Sequence, residues 1–236
     1  MLTPHASSPP YVFFTQVPGC VLYLDARDPS NNGTQPSNNA SIAEWYDKSG
    51  NGNNLSQATG AKQPTFISSH FNGQSALYFD GSQGFLGSSI PICSSPVGSW
   101  TIYYVIDLSG ISTEQFITDS PGNVSRFLFY NNSSQWIWNA TGAIGTSQTG
   151  KQVLTFVLST GANTVTAYIN GVSIGSVAYV ANAPATSLSL GFDYGQSFDP
   201  ITMYCGAHLW YNWAHDSTTR GKVETRLGNI FGIAAT

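Results

Sequence analysis

Residues 44 to 66 read EWYDKSGNGNNLSQATGAKQPTF, and residues 71 to 86 read FNGQSALYFDGSQGFL. The first stretch carries an aromatic-acidic segment into Gly50, Asn51, Gly52 and Asn53. These residue types tolerate positive φ, so the backbone can fold back sharply there. The second stretch is an alternating strand that stops at Asp80-Gly81. A short helical turn is expected around Ile42 to Tyr46. Working outward, CVLYLD, SALYFD, WTIYYVID, RFLFYN, QWIWNA, VLTFVLS, TVTAYIN, VSIGSVAYV, SLSLGF and MYCGAHLWYN are rich in β-branched and aromatic residues and are separated by turn residues. Asn170-Gly171 is the strongest hairpin signal, because both central residues of a type I′ turn need positive φ. Strands that pair in sequence and alternate apolar with polar suit antiparallel sheets packed face to face. The predicted fold is all-β, an antiparallel two-sheet jelly-roll sandwich with one C-terminal helix. That helix spans 217 to 231, where Val223, Leu227, Ile230 and Phe231 share one face. Asp216 or Ser217 can cap its start, and Gly232 can stop it.

The order of these pieces resembles the laminin-G-like branch of the concanavalin A-like lectin/glucanase superfamily. The resemblance rests on Trp45 to Asn53 as a W-x-D-x-S-G-N-G-N loop, Gln63-Pro64-Thr65, and an Asn72-Gly73 strand closing in Phe79-Asp80-Gly81. VLYLDARD at 21 to 28, SLSLGFD at 187 to 193, AHLWYN at 207 to 212 and a terminal helix ending in FGI extend it over about residues 19 to 233. It implies a concanavalin A-like sandwich and leaves function open, since one such sandwich carries lectins, glycanases and structural modules. The glucanase relatives use an E-x-D-x-x-E strand, and no such string occurs here. With twelve Asp plus Glu in the chain and no G-x-S-x-G, Walker or H-E-x-x-H string, the protein is read as not an enzyme. The resemblance also brings early and late strands together, so a Cys20 to Cys205 bridge stays open beside free buried thiols.

Composition narrows the partners. Only 8% of the 236 residues are charged against 41% hydrophobic, which leaves Ser, Thr, Asn, Gln and Gly to cover the surface. A net charge of −4 with eight scattered Lys plus Arg gives no basic stripe for nucleic acid. No run approaches the ~18 apolar residues of a spanning helix, so no membrane insertion is expected. The N-terminus has no basic n-region and no signal-peptide core, and an initiating Met begins it. Residues 1 to 18 hold Pro4, Pro9, Pro10 and Pro18 and read as a Pro/Ser-rich arm preceding a domain over 19 to 236. In that arm Tyr11, Val12, Phe13 and Phe14 form an apolar patch, expected to contact another subunit instead of its own domain.

Two clusters are candidate ligand sites. Asp47, Ser49, Asn51 and Asn53 place oxygens at alternate positions, as in the first half of a calcium loop. Ala58 occupies the closing position, so the favoured reading is a loop whose side chains cap its own backbone, and no cofactor is required. Most Trp side chains are expected in the core. The exception proposed for carbohydrate is Trp138 with Asn139, alongside Tyr130, Asn131 and Asn132. The resulting expectation is a non-enzymatic virion structural protein, a minor capsid or decoration subunit on the virion surface, whose partners are capsid subunits or further copies of itself. The alternative is an extracellular carbohydrate-binding module that recognises a host or cell-wall glycan.

Overall fold

A computed structural model describes residues 12–93, 98–110, 114–120, 128–132, 134–138, 142–179, 185–195 and 199–235. Among them, in chain order, run α1 (Val12–Gln16), β1 (Cys20–Asp25), β2 (Glu44–Trp45), β3 (Leu55–Ser56), β4 (Thr65–Phe71), β5 (Gln74–Asp80), β6 (Phe85–Cys93), β7 (Trp100–Leu108) and β8 (Gln115–Asp119). There follow β9 (Leu128–Asn132), β10 (Gln135–Trp138), β11 (Gly142–Thr146), β12 (Gly150–Ser159), β13 (Thr164–Ile169), β14 (Val172–Ala178), β15 (Ala185–Leu190), β16 (Thr202–Tyr211) and α2 (Ser217–Phe231). The first sheet has the order β14-β13-β12-β7-β16-β5-β4, with β1 also paired to β16; the second has the order β11-β10-β9-β8-β15-β6-β3-β2. The strands pair antiparallel throughout both sheets. The all-β sandwich read from the sequence is therefore the fold. The Asn170-Gly171 hairpin joins β13 to β14 with φ of 52° and 88° at its two central residues.

Two cores flank the first sheet. Between the sheets lie Leu22, Leu24, Leu77, Phe79, Ile102, Ile106, Phe156 and five tryptophans, Trp45, Trp100, Trp136, Trp138 and Trp210. On the outer face Phe14, Tyr23, Tyr103, Val105, Val153, Leu209 and Tyr211 pack beneath Val223, Leu227 and Phe231 of α2. This explains why β7 reads WTIYYVIDL, almost without polar interruption: its strand is buried on both faces. The helix runs over the predicted residues and uses the predicted caps. Asp216 accepts from the Thr219 amide, and Gly232 turns left-handed at φ 67°. Gly221 and Gly228 weaken α2 as an isolated helix, whereas burying Leu227 and Phe231 contributes about 1.5–3 kcal/mol each.

Two expectations change. The segment around Ile42 to Tyr46 contains a strand, not a helical turn, because Trp45 pairs with Leu55 across the folded-back loop and plugs the inter-sheet core. The arm also ends earlier than predicted. Val12–Gln16 is a helical turn, and Phe14 is fully buried against Tyr23 of its own domain while Tyr211 Oη donates to the Phe14 carbonyl at 3.0 Å. Prolines around this segment hide a docking turn whose apolar side chain has a pocket waiting in its own chain. Tyr11 and the residues before it lie outside the described residues. Of the two readings open for the cysteines, the structure has free thiols at Cys20 and Cys205. Cys20 pairs with Tyr211, at the far end of β16 from Cys205, and at ~3.3 Å per residue the gap is about 20 Å, too wide for a bridge.

Candidate functional site

The loop after Trp45 is held by one carboxylate. Asp47 Oδ1 accepts from the amides of Tyr23 and Ser49 at 2.9 and 2.8 Å, and Oδ2 accepts from Ser49 Oγ and the Asn53 amide at 2.7 and 3.0 Å. Asn51 and Asn53 turn their Nδ2 donors toward the carbonyls of Cys20 and Val21. The Asp47 oxygens that the spacing offers as calcium ligands thus face N–H and O–H donors of the chain itself, and the loop is clasped onto β1. Among the described residues no three His, Cys, Asp or Glu side chains gather as a metal site. Asp47→Ala should lower stability by about 2 kcal/mol, since it strands buried donors. The same measurement with a chelator on the unsubstituted protein should show no shift of the thermal midpoint; a drop would restore the calcium reading.

The predicted sugar cluster is not an exposed platform. Trp138 is fully buried and packs on Trp100 at 5.7 Å, because Trp136 and Trp138 alternate with Ile137 and both turn into the core. Asn131 lies opposite Trp136 and is equally buried, and Asn132 reaches Glu114 at 3.5 Å. Tyr130 has its backbone in β9 opposite Ile137. The Tyr130 side chain and the whole of Asn139 lie outside what is described.

A different constellation is open to solvent, on the half of the first sheet that α2 leaves uncovered. One row of cross-strand partners runs Thr65, Tyr78, Tyr204, Asp107, Lys151 across β4, β5, β16, β7 and β12. Directly paired residues point to the same face, and Tyr204 marks that face as the outer one by touching the outer core. The β4 ladder shifts register between Ile67 and Phe71. In this irregular stretch His70 stacks flat on Tyr204 at 3.7 Å and 10°. Its Nε2 lies 2.8 Å from Asp107 Oδ2. Tyr78 flanks Tyr204 at 4.6 Å, and Lys151 Nζ donates to the His70 carbonyl at 2.7 Å. Burial, then the neighbouring Tyr204 and Asp80, holds the Tyr78 hydroxyl above its ordinary pKa, so it stays a neutral donor. Stacked rings supply apolar and π surface, while a carboxylate and an ammonium group beside them can accept from and donate to hydroxyls. No motif announces this row, because its members come from five separate strands.

The acidic side chains bear on catalysis. Glycoside hydrolysis generally needs two carboxylates facing one sugar bond. Asp25 is engaged by Arg27 at 2.6 Å and by Tyr23 Oη at 2.7 Å. Asp119 accepts from the amides of Ser120 and Tyr194, and Glu224 accepts from Thr155 Oγ1 beneath α2. Burial pushes the Glu224 carboxyl upward, with Thr155 and Arg220 opposing. In the open row, the cross-strand neighbours of Asp107 are Tyr204 and Lys151, neither of them a second carboxylate.

No protein-family model and no curated protein matches the chain. Solved structures share its fold. A Trypanosoma rangeli sialidase in complex with sialic acid aligns over 92% of this chain and 34% of its own, with TM-score 0.60 and 12% identity. A botulinum neurotoxin type C structure, described as entering cells through interaction with two ganglioside molecules, aligns over 92% of this chain and 53% of its own, with TM-score 0.58 and 12% identity. The binding domain of Paraclostridial Mosquitocidal Protein 1 aligns over 89% of this chain and 53% of its own, with TM-score 0.62 and 13% identity. The chain therefore spans about a third to a half of these structures. The likeness is one of fold: an all-β sandwich of two antiparallel sheets.

Proposed function

We propose that this chain is a non-enzymatic, lectin-like module that binds a host or cell-wall glycan on the open half of its first sheet. The observation that carries this reading is the row of Tyr78, Tyr204, Asp107 and Lys151 with His70 stacked on it. It sets aromatic surface beside a hydrogen-bonding acid and base without a second carboxylate across from them. The fold neighbours lend support, because one is described with ganglioside molecules and another with sialic acid. The competing reading is a virion subunit clasped to a neighbour through its arm. Phe14 is already used in its own core.

The test is a glycan array followed by titration of the best ligand. Tyr204→Ala should weaken binding about tenfold or more, and Asp107→Asn by a similar factor, the scale of one lost charge-assisted contact. Incubation of the bound glycan should release no sugar. Unchanged affinity in both variants would remove this face from the reading, and sugar release lost with Asp107→Asn would make the chain an enzyme.

A further inference from the structure

A second concavity lies away from that row, between α1 and α2. It has a volume of about 610 Å³ and is lined by Phe13, Gly221, Lys222, Thr225, Arg226 and Asn229. Four of these, at 222, 225, 226 and 229, are exposed and stand on one stripe of α2, at the i, i+3, i+4, i+7 spacing that stacks side chains along a helix. The opposite stripe buries Val223, Leu227 and Phe231, so the helix has an apolar face spent on the sheet and a donor-rich face turned outward. Every polar side chain in the groove can donate: an ammonium, a hydroxyl, a guanidinium and an amide. Phe13 supplies an apolar wall, with the Arg226 guanidinium 6.0 Å from its ring. At Gly221 nothing lies within 4 Å of where a Cβ would stand, so the groove is open at that end.

The charges single the groove out. The chain carries eight Lys plus Arg and a net charge of −4. Elsewhere Arg27 is paired with Asp25, Lys48 with Asp28 and Arg220 with Glu224. Among the described residues, Lys222 and Arg226 share no ion pair with a carboxylate. Asp216 at the start of α2 lies within electrostatic reach of Lys222 without forming an ion pair with it, so two cations side by side on a donor-rich stripe of an acidic protein favour an anionic occupant. The hydroxyl and amide donors and the aromatic wall add what a sugar ring offers: hydroxyls to bind and an apolar face to cover.

We infer that the α1–α2 groove is a binding site for a carboxylate-bearing saccharide, with Lys222 and Arg226 taking the carboxylate and Thr225, Asn229 and Phe13 taking the ring. The choice of a saccharide rests on the glycan-binding reading above; the charge of the ligand does not. The site is distinct from the Tyr78–Tyr204 row, which lies on the sheet surface that α2 leaves open.

The full chain is titrated by calorimetry with free sialic acid, its methyl ester, lactose and inorganic phosphate, alongside a Lys222→Gln, Arg226→Gln double variant and Tyr204→Ala. Both substituted cations are exposed, and circular dichroism confirms that the double variant keeps its fold. The expected result is saturable binding of the acid and about tenfold or more weaker binding of the ester. A similar loss should appear in the double variant, and affinity should fall with added salt. Tyr204→Ala should leave this binding unchanged. Equal affinity for acid and ester, no effect of the double variant, or phosphate binding as tightly as the acid would each overturn the inference; so would an absence of saturable binding. Loss of glycan-array binding in Tyr204→Ala with no dependence of the acid on the two cations refutes this site alone, whereas no saccharide binding at either site refutes both.

Discussion

Gly175→Ala should destabilise the domain by about 3 to 5 kcal/mol, a steric overlap added to an unfavourable backbone conformation. Gly175 has φ 145°, and a Cβ there would run into the Ile144 carbonyl of β11. At this flank β14, the edge of the first sheet, lies against β11, the edge of the second, and Gly145 meets Ile174 in the same way. The sandwich can close on that side because neither backbone carries a side chain at the crossing. Gly150→Ala is the control: φ there is 89°, yet nothing lies within 4 Å of its Cβ position. It should cost only about 1 kcal/mol. Urea unfolding of the two variants separates the causes. Equal losses would mean that the close approach of β11 and β14 contributes nothing.

Acid should unfold the protein through two histidines. His208 is fully buried between the sheets, stacked on Tyr104 at 4.4 Å, and burial pushes it down to about 4, with the Tyr103 carbonyl opposing. His215 is buried against Tyr211 and Trp213 with its Nδ1 2.6 Å from Tyr103 Oη; burial pushes it to about 4 as well, with Asp216 opposing. Once unfolded, each takes up a proton near its ordinary 6.5. The unfolded state therefore binds more protons in that window, so stability falls as pH drops from about 6.5 to about 4 and levels off below. The fully buried His208 contributes about 3 kcal/mol to this loss, and His215, more screened by solvent, contributes less. Glu224, raised by burial, acts in the opposite sense, since its protonated form is favoured in the folded state as pH falls. The urea midpoint measured across this range should drop with acid, and His208→Phe should flatten the slope. A flat profile in the unsubstituted protein would show that the histidines are not held neutral.

Features set by neighbours in sequence were legible before the structure. Asn170-Gly171 and the Asp216 and Gly232 caps of α2 depend on a few local dihedrals, which residue type controls directly. The β2 segment was not legible, because its local preference yields to the pairing of Trp45 with Leu55 and to burial of the indole. Trp138 was misplaced for a related reason. Alternation told which residues share a face but not which face meets the other sheet. The Tyr78–Tyr204 row is a matter of register alone: five strands must pair in one order before its members become neighbours. Phe14 sat among prolines whose signal is loop, while its pocket is built from Tyr23 on β1 and from Tyr211, far along the chain.

The position of β16 has a consequence for biosynthesis. This last strand is the one to which β1 pairs, with Leu22 opposite Trp210, and it also separates β7 from β5 in the middle of the first sheet. A nascent chain still lacking residues 202 to 211 has β1 without its hydrogen-bonded partner and two half-sheets with no strand to join them. Pairings of such long range are slow to form, since the loop between the ends must be closed before any contact rewards it. The first sheet can therefore close only after residues 202 to 211 have left the ribosome, and in the interval its most apolar strands, β7 among them, are exposed to pairing with other chains.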